Sequence, residues 1–403
     1  MNLKYILKPL FFLIPNRRLR IKLYNKFRLF LCKKKPIENK WIIFYDTFSK
    51  NGNGDSIKPI AQMLKKLAPN DFKFFFVSKK KCNIDIADEV LVENTFRMEE
   101  IEERAKYVVS SMNLPRIKRK GQVFIMTWHG MPLRKIYLDI ADTKSVRFYV
   151  EQFKNVDYFC SKCEKNTDIL SKAFDIKKDI FIKSGLPRND ALFYKEESFM
   201  NEIKNKLGID KTKKVLLYCP TWRNSNKKME LALDLSLLKE CIAENYVILI
   251  RSHVGKHTWV GDKTKYINDN FCIDVGKIED ITDLYRICDV LITDYSSVIF
   301  DFAITEKPMV FYSYDLDQYS ANIGFYLDYE TDLPGPIVKN TKELIMTLDE
   351  KVLNSVELKV KRQIFKKKFC SYENGTSTKQ IIDLILKNDK IQNRFLGTEK
   401  HLL

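Results

Sequence analysis

The chain has 403 residues, a formal net charge of +18 at pH 7, 45% apolar residues and 30% charged residues. This balance excludes a wholly disordered chain, and the length predicts two or three domains that can each bury a core. The nine cysteines are odd in number and scattered, which predicts reduced core thiols in a cytosolic protein.

The positive charge is concentrated at the N-terminus. Residues 1–37 contain eleven Lys or Arg and no Asp or Glu, so the rest of the chain carries a net charge of only +7. The longest apolar run there, Leu10–Ile14, is too short for a membrane span and lacks the cleavage site of a signal peptide. We therefore expect a protein that is not exported, with a cationic arm that favours an anionic surface.

A helix is predicted over residues 17–31. Leu19, Leu23, Phe27 and Phe30 recur at spacings of four, four and three residues and form an apolar stripe. Basic residues flank this stripe, which is typical of a helix lying in a membrane interface. The alternative is a helix that packs on the body of the protein with a solvated basic face. The residues assigned to membrane contact are Arg17, Arg18, Arg20, Lys22 and Lys26.

Short apolar runs alternate with polar or helical segments from residue 40 onward. Such runs, four to six residues long, predict buried parallel strands, so we expect two doubly wound α/β domains. The first series of expected strands is Trp41–Phe48, Lys73–Val77, Glu89–Val92, Tyr107–Ser111, Val123–Trp128, Tyr158–Cys160 and Ile180–Lys183. The second series is Lys214–Tyr218, Tyr246–Ile250, Phe271–Val275, Val290–Thr293 and Pro308–Tyr312.

Helices are predicted between the strands of the second series and in the tail. Their expected ranges are 234–243, 280–288, 297–304, 342–352, 356–368 and 377–388. The charged stretch Lys195–Lys214 predicts a domain boundary. We therefore expect the arm at 1–37, an N-terminal domain at 38–205, a C-terminal domain with the tail helices at 206–388, and a short tail at 389–403.

Two of the four histidines follow predicted strands directly. His129 follows Val123–Trp128, and His253 follows Tyr246–Ile250 after Arg251 and Ser252. Ligands of open parallel sheets bind outside the carboxyl ends of the strands. One histidine there is usually structural, but two beside Gly, Pro and Arg favour proton transfer near neutral pH.

Hydroxyl groups and arginines follow other strands. Ser296 and Ser297 lie between a strand and a helix, where backbone N–H groups attract anions, although simple helix capping is the alternative. We expect Asp301, four residues after Ser297, to share its helix face and to reach a ligand hydroxyl. The segments Pro220–Arg223 and Gly185–Asp190 each offer a turn and an Arg suited to phosphate. Together these groups predict a phosphorylated or nucleotide-linked substrate.

These residues carry a specific resemblance. The chain resembles the CDP-glycerol glycerophosphotransferase family, whose members transfer or polymerise polyol phosphate in teichoic acid and capsule synthesis. The order and approximate spacing of the blocks agree over residues 40–388. The matching blocks are Trp128–Leu133, Gly185–Asp190, Pro220–Arg223, Arg251–His253, Ile292–Phe302, Phe311–Tyr319, Gly324–Tyr326, Pro334–Pro336 and, more weakly, Tyr372–Gly375.

The resemblance implies a GT-B-like pair of Rossmann-type domains around a cleft. It implies a CDP-polyol donor, transfer of polyol phosphate to a hydroxyl of a lipid-linked acceptor, and release of CMP at the cytoplasmic face of the membrane. His129 is the implied general base, and His253 with Arg251 is implied to stabilise charge on the donor phosphates. The other implied donor-site residues are Trp128, Gly130, Met131, Pro132, Arg188, Pro220, Thr221, Ser252, Ser296, Ser297 and Asp301.

The chain departs from the family pattern at three positions. Met131 stands where Thr is usual, Ser252 where Met is common, and Ile323 where Arg is frequent. The missing Arg leaves the polyol and the acceptor open, and the sequence also leaves open the choice between a priming enzyme and a polymerase. Oligomeric state is also open.

A basic block precedes the His129 strand. It consists of Arg116, Lys118, Arg119 and Lys120. A solvated loop is one interpretation, and guidance of an anionic, lipid-linked acceptor toward His129 is the other.

Other classes of protein fit less well. A GT-B glycosyltransferase using a nucleotide sugar would share the fold, and an inactive envelope scaffold would lack the need for two such histidines. The charge alone suggests nucleic acid, but no zinc finger, aromatic RNP signature or basic zipper is present. Cys160 and Cys163 form a single C-x-x-C without a second pair, so we expect no tightly bound metal and leave a donor-associated divalent ion open.

Overall fold

The computed structural model describes residues 10–11, 13–32, 35–46, 54–221, 223, 228–251, 258–260, 267–322 and 324–388. Within these residues, no helix combines the length and hydrophobicity that a bilayer crossing needs.

The first sheet has seven parallel strands in the spatial order β3-β2-β1-β4-β5-β6-β7. Most of its central side chains are buried on both faces, which explains why its strands are continuous apolar runs in the sequence. The strands are β1 (Glu38–Tyr45), β2 (Lys73–Ser78), β3 (Glu89–Val92), β4 (Ala105–Ser110), β5 (Val123–Met126), β6 (Tyr158–Cys160) and β7 (Phe181–Ile182).

The second sheet has six parallel strands in the order β12-β10-β8-β13-β14-β15. A separate parallel pair is formed by β9 and β11. The strands are β8 (Lys214–Cys219), β9 (Lys228–Glu230), β10 (Tyr246–Ile250), β11 (Thr258–Val260), β12 (Cys272–Asp274), β13 (Val290–Thr293), β14 (Met309–Tyr312) and β15 (Ile337–Val338).

Helices connect and cover the strands of both sheets. In the first half of the chain they are α1 (Arg17–Cys32), α2 (Ile57–Leu67), α3 (Phe96–Arg104), α4 (Lys144–Val150), α5 (Glu164–Phe174) and α6 (Glu197–Lys206). In the second half they are α7 (Leu235–Ile242), α8 (Ile281–Ile287), α9 (Val298–Phe302), α10 (Leu316–Asn322), α11 (Thr341–Thr347), α12 (Glu350–Leu353), α13 (Val356–Phe369) and α14 (Ser377–Asn388).

The last helix returns to the first sheet. Ile381, Ile382 and Ile385 of α14 are fully buried in one core with Ile42 and Phe44 of β1. The expected boundaries assigned this helix to the C-terminal domain, and this assignment is corrected. Its apolar stripe packs where the first sheet leaves an uncovered apolar face, which sequence position alone does not reveal.

Side-chain caps define the N-termini of two of these helices. Thr95 caps α3 by accepting a hydrogen bond from the Met98 N–H at 3.2 Å. Cys163 caps α5, with its Sγ 3.3 Å from the Asn166 N–H.

The eight cysteines whose side chains the structure describes are free thiols. Most of them are buried, as expected, but Cys241 is exposed.

Gly335 provides a test of close packing in the second sheet. A Cβ at this position would collide with the Met309 backbone carbonyl of β14. Moving this carbonyl would require a shift of the strand backbone. We therefore expect Gly335→Ala to lower the free energy of unfolding by about 3 kcal/mol.

Gly208→Ala is the control for this substitution. Gly208 has φ +66° and nothing within 4 Å of the added Cβ, so only backbone strain of about 1–2 kcal/mol opposes it. Denaturant unfolding compares the two variants. Equal losses would contradict the packing argument.

Candidate active site

His129 lies in a tight loop that follows β5. Trp128 before it has φ +57°, and Gly130 after it has φ +118°. A Cβ on Gly130 would come within 2.8 Å of an Arg188 guanidinium nitrogen, so glycine is required there for both conformation and space. The Trp128 and His129 rings lie 3.9 Å apart between centroids. The loop therefore fixes the imidazole against a buried indole.

His129 is held as a neutral imidazole. Burial and the charge of Arg188 lower its pKa to about 3, against a weaker opposing effect of its hydrogen bond to Ser111. The Nδ1 atom lies 3.4 Å from the Ser111 carbonyl oxygen. The tautomer in which Nδ1–H donates to this oxygen places the basic lone pair on Nε2. This is the form that a general base needs at neutral pH.

Arg188 connects the His129 loop to two carboxylates. Its guanidinium donates to the His129 carbonyl oxygen at 2.9 Å and to Asp55 Oδ2 at 2.9 Å. It also forms an ion pair with Asp301 of α9. We call the place where the loops after β5 and β7 contact α9 the junction. Arg188 is the residue that joins its parts.

Asp301 is buried between two cations at the junction. Arg188 contacts one carboxylate oxygen, and Lys162 and Asn189 contact the other. Burial opposes ionisation, but the charges of Arg188 and Lys162 outweigh it and lower the pKa of Asp301 to about 2. Asp301 is therefore a permanent anion.

Glu373 extends this network from the chain segment before α14. Its carboxylate accepts a hydrogen bond from Asn189 at 2.8 Å and lies 3.6 Å from Lys162 Nζ. Burial raises the pKa of Glu373 to about 7, with Lys162 and Asn189 acting in the opposite direction. A Cβ at Gly185 would come within 2.5 Å of Glu373 Oε2, so this glycine makes room for the network.

Sequence reasoning missed Asp55 and Lys162 and gave Glu373 only a weak match. Lys162 is fully buried, and it follows β6 inside the Cys160–Cys163 motif. A lysine just after an apolar strand was the available signal, but we interpreted this segment only through its cysteines. Its partners, Asp301 and Glu373, are more than 130 residues away, so no local pattern could identify them.

Other expected site residues lie at neighbouring strand ends of the second sheet. Pro220 and Thr221 follow β8, Arg251 follows β10, and Ser296 and Ser297 follow β13. These three strands are adjacent in the order β10-β8-β13, so their carboxyl ends lie side by side. His253 and Ser252, together with Trp222, lie outside the described residues.

The polar groups at these strand ends have different partners. The Thr221 N–H donates to Asp294 at 2.7 Å, while its buried Oγ1 has no hydrogen-bond partner within the described part of the chain. The Arg251 guanidinium donates to the Ile278 carbonyl at 2.6 Å. Ser297 precedes α9 without a side-chain cap, and Ser296 Oγ is 3.4 Å from the Val298 N–H.

Both arginines suggested for phosphate contact bind protein carboxylates. Arg188 contacts Asp55 and Asp301, and Arg223 contacts Asp294 at 2.8 Å and Asp315 at 2.5 Å. Arg188 therefore stabilises the junction, whereas Arg223 connects the loops that follow β8, β13 and β14.

The basic block before β5 also makes hydrogen bonds and an ion pair within the protein. Arg116 donates to the Phe148 carbonyl at 3.1 Å, and Lys118 contacts Asp157 and the Asn155 carbonyl. Arg119 donates to two backbone carbonyls. Lys120 is exposed. Three of these four residues therefore anchor the loop between β4 and β5.

A backbone clamp joins the segment after His129 to the second half of the chain. The Lys135 N–H donates to the Gly324 carbonyl at 2.8 Å, and the Tyr326 N–H donates to the Leu133 carbonyl at 2.9 Å. The Tyr326 hydroxyl donates to Asp139 at 2.7 Å and accepts from the Ile136 N–H at 3.2 Å. The clamp therefore fixes residues 133–139 on the C-terminal side of the candidate base.

Comparison with known proteins identifies the family. The sequence model described as "CDP-Glycerol:Poly(glycerophosphate) glycerophosphotransferase" matches residues 27–387, which is most of the chain. The chain belongs to this family.

Individual members of the family agree with this assignment. A teichoic acid glycerol-phosphate transferase of Staphylococcus aureus is 39% identical over 67% of this chain and 72% of its own. A teichoic acid poly(glycerol phosphate) polymerase of Bacillus subtilis is 32% identical over 89% of this chain and 50% of its own. The chain thus spans about half the length of that polymerase.

Solved structures of a family member have the same fold. The wall teichoic acid polymerase TagF superposes with a TM-score of 0.82 at 32% identity, covering 97% of this chain and 99% of that chain. A TagF variant soaked with CDPG superposes with a TM-score of 0.80 at 29% identity, covering 95% of this chain and all of that one. The expected mixed α/β fold with two parallel sheets is therefore confirmed.

The clamp predicts a local effect of Tyr326→Phe. Loss of the hydroxyl removes the hydrogen bonds to Ile136 and Asp139, so the amides of residues 133–139 should exchange hydrogen about tenfold faster. Hydrogen-exchange mass spectrometry measures this rate.

Tyr329→Phe is the matched control for the clamp. Tyr329 stacks on Phe325, the neighbour of Tyr326 in the sequence, but its hydroxyl pairs with Ser313 at 2.8 Å. Unchanged exchange in both variants, or equal acceleration in both, would contradict the clamp.

Proposed function

We propose that the protein transfers polyol phosphate from a CDP-activated polyol to a hydroxyl of a membrane-linked acceptor in teichoic acid or capsule synthesis. The observation that carries the proposal is His129, which is held at a strand end by contacts with Trp128, Ser111 and Arg188 in a chain that belongs to the glycerophosphotransferase family. A GT-B-like pair of domains around a cleft is part of this proposal. Relatives named for glycerol phosphate reach 39% identity and those named for ribitol phosphate 30%, which supports CDP-glycerol as the donor.

In the proposed reaction His129 Nε2 takes the proton of the acceptor hydroxyl. The acceptor oxygen attacks the phosphorus that carries the polyol, a new P–O bond forms, and the bond from this phosphorus to the bridging oxygen breaks. CMP leaves with the bridging oxygen. Phosphoryl transfer depends on in-line positioning and charge stabilisation more than on covalent catalysis, and a neutral base held by its loop supplies such positioning.

The donor is proposed to bind at the adjacent ends of β8, β10 and β13. The buried Thr221 hydroxyl, Ser296 and Ser297 offer hydrogen bonds, and Arg251 with His253 would stabilise charge on the diphosphate. Pro220, Ser252 and residues 128–132 would complete this surface. Arg188 and Asp301 would act at the donor site indirectly, by holding the loops after β5 and β7 against α9.

A donor panel tests the proposed reaction. Purified protein is incubated with a lipid-linked acceptor and CDP-glycerol, CDP-ribitol, a UDP-sugar or a CMP-sugar, and mass spectrometry follows the acceptor and CMP. We expect a mass gain of one or more polyol phosphates and matching CMP from a CDP-polyol. Turnover of nucleotide sugars alone would contradict the proposal and favour the glycosyltransferase alternative.

His129→Ala tests the proposed base. We expect kcat to fall by about 10²–10⁴-fold because the acceptor hydroxyl loses its proton acceptor. Calorimetric binding of CDP-glycerol should change little, since the imidazole acts on the acceptor. Near-normal turnover would exclude His129 as the base.

The pH dependence of transfer follows from the pKa of His129. Its folded-state pKa of about 3 lies below the ordinary value of 6.5, so the base stays unprotonated as the pH falls through 6.5. His129 should therefore contribute no acid limb near pH 6.5 when kcat/KM is measured from pH 7.5 to 5.5. A limb there that disappears in His129→Ala would contradict the neutral base.

We also propose that α1 contacts an anionic membrane. Arg28 forms ion pairs with Glu102 and Glu103 of α3 at 2.8 Å, and the Tyr24 hydroxyl donates to Glu99. These contacts hold α1 on the body of the protein, as expected from the alternative interpretation of this helix. Leu19, Leu23 and Phe30 are nevertheless 48%, 38% and 70% exposed. An anchored helix that exposes apolar side chains beside basic residues supports interfacial binding.

Charged substitutions on α1 test membrane contact. The triple variant Leu19→Asp, Leu23→Asp and Phe30→Asp should bind phosphatidylglycerol vesicles at least tenfold more weakly, because each substitution removes apolar area worth about 1.5–3 kcal/mol when buried. Arg28 and its partners remain intact, so the helix stays docked.

The matched control changes three exposed aliphatic residues of α13. Val356→Asp, Val360→Asp and Ile364→Asp alter charge and exposed apolar area similarly on a different helix. Vesicle sedimentation should show near-normal binding for this control. Unchanged binding of the α1 variant would contradict membrane contact through α1.

A further inference from the structure

Arg134 lies in the segment that connects the candidate base to the second half of the chain. It follows His129 by five residues, and its backbone forms an antiparallel bridge with Phe325. Its neighbours Leu133 and Lys135 make the two backbone hydrogen bonds of the clamp, at 2.9 and 2.8 Å. The backbone of Arg134 is therefore held from both sides.

The Arg134 side chain contacts the second half of the chain. Its Nη1 donates to the Tyr319 hydroxyl of α10 at 2.7 Å. The Tyr319 ring stacks on Tyr295, with ring centroids 3.8 Å apart and an interplanar angle of 15°. Tyr295 directly precedes Ser296 in the loop after β13, where the donor is proposed to bind. The guanidinium thus extends from the loop of the candidate base to the wall of the proposed donor site.

Arg134 keeps its positive charge without a carboxylate partner. Among the residues that the structure describes, its guanidinium makes no ion pair with Asp or Glu, and its hydrogen-bond acceptor is the neutral Tyr319 hydroxyl. A guanidinium has five N–H donors, so further donors remain for an anion. Such a group binds phosphate through parallel charge-assisted hydrogen bonds, which are stronger than bonds between neutral partners.

The other arginines near these strand ends already have partners for their guanidinium groups. Arg188 and Arg223 each contact two carboxylates. Arg251 directs both terminal nitrogens to backbone carbonyls of residues 275–279. Within the described part of the chain, Arg134 is therefore the one of these four that combines an uncompensated charge with open donors.

We propose that Arg134 binds the transferred phosphate of the donor, which is the phosphate that carries the polyol. In-line transfer places the acceptor hydroxyl, and with it His129, on the side of this phosphorus opposite the CMP leaving group. A cation on the His129 loop therefore faces the transferred phosphate, and not the phosphate that stays on CMP. Its charge offsets that of the phosphate oxygens while the acceptor oxygen forms its new bond. This inference rests on the proposed transfer reaction and adds a residue that recognises the donor.

Ligand binding to Arg134→Met tests this contact in the absence of any acceptor. Calorimetry compares CDP-glycerol, which has both phosphates, with CMP, which lacks the transferred one. We expect the Kd of CDP-glycerol to rise at least about tenfold through loss of charge-assisted hydrogen bonds, while the Kd of CMP changes by less than about twofold. An equal rise for both ligands, or no change for either, would overturn the contact.

Arg134→Lys separates the charge from the hydrogen-bond geometry. Lysine keeps the positive charge but lacks the planar fork of the guanidinium, so it should restore part of the CDP-glycerol affinity that Arg134→Met loses. No restoration would contradict a charge contact. If Arg134→Met does not fold, Arg134→Lys should still weaken CDP-glycerol more than CMP, and an equal effect on both ligands would refute the inference.

Arg97→Met is the matched control. Arg97 lies on α3 with a side chain that is 46% exposed, and it pairs with Glu89 and Glu100 at the surface. The substitution removes the same charge, and the Kd values of both ligands should equal those of the wild type. A selective loss of CDP-glycerol affinity in this variant as well would assign the effect to overall charge and overturn the contact.

Acceptor kinetics distinguish a donor phosphate from a phosphate of the acceptor. With saturating CDP-glycerol, kcat of Arg134→Met should fall at least about 10²-fold while KM for the lipid-linked acceptor changes little. A raised acceptor KM with unchanged CDP-glycerol binding would assign the guanidinium to an anionic acceptor and overturn the inference. Absence of CDP-glycerol binding to the wild type would defeat the proposed transfer as well, whereas normal wild-type transfer with no selective loss in Arg134→Met would defeat the inference alone.

Discussion

The Asp301 carboxylate, buried between Lys162 and Arg188, is the interaction on which the rest of the junction depends. The two cations come from loops that follow strands of the first sheet, and the anion comes from a helix that follows a strand of the second. Removing one partner of such a group leaves an uncompensated buried charge, at a cost of about 3–5 kcal/mol. The segments that follow strands of the two sheets are therefore joined by electrostatics as well as by apolar packing.

The same guanidinium also sets the chemistry of His129. Arg188 holds the His129 carbonyl oxygen, and its charge helps burial to keep the imidazole neutral. The clamp at Tyr326 fixes the other side of this loop, and α14 packs in the core of the first sheet. Position and protonation of the candidate base thus share one structural cause.

Sequence patterns predicted most strands and helices to within a few residues, because apolar runs buried in parallel sheets are strong local signals. They also identified His129, since it directly follows a strand next to a glycine. The two-residue strand β15 and the return of α14 to the first sheet were not predicted, because both depend on tertiary contacts. Arg188 and Arg223 looked suited to phosphate, but their carboxylate partners lie far away in sequence. A cavity beside His129, which is lined by residues between 112 and 146, likewise forms only in the folded chain.

A double-mutant cycle between Arg188 and Asp301 tests the central claim most directly. The free energy of unfolding is measured for the wild type, Arg188→Met, Asp301→Asn and the double variant. We expect each single substitution to cost about 3–5 kcal/mol and the double to cost less than their sum by about 1.5 kcal/mol or more. Additive losses would contradict the claim that this ion pair holds the junction together.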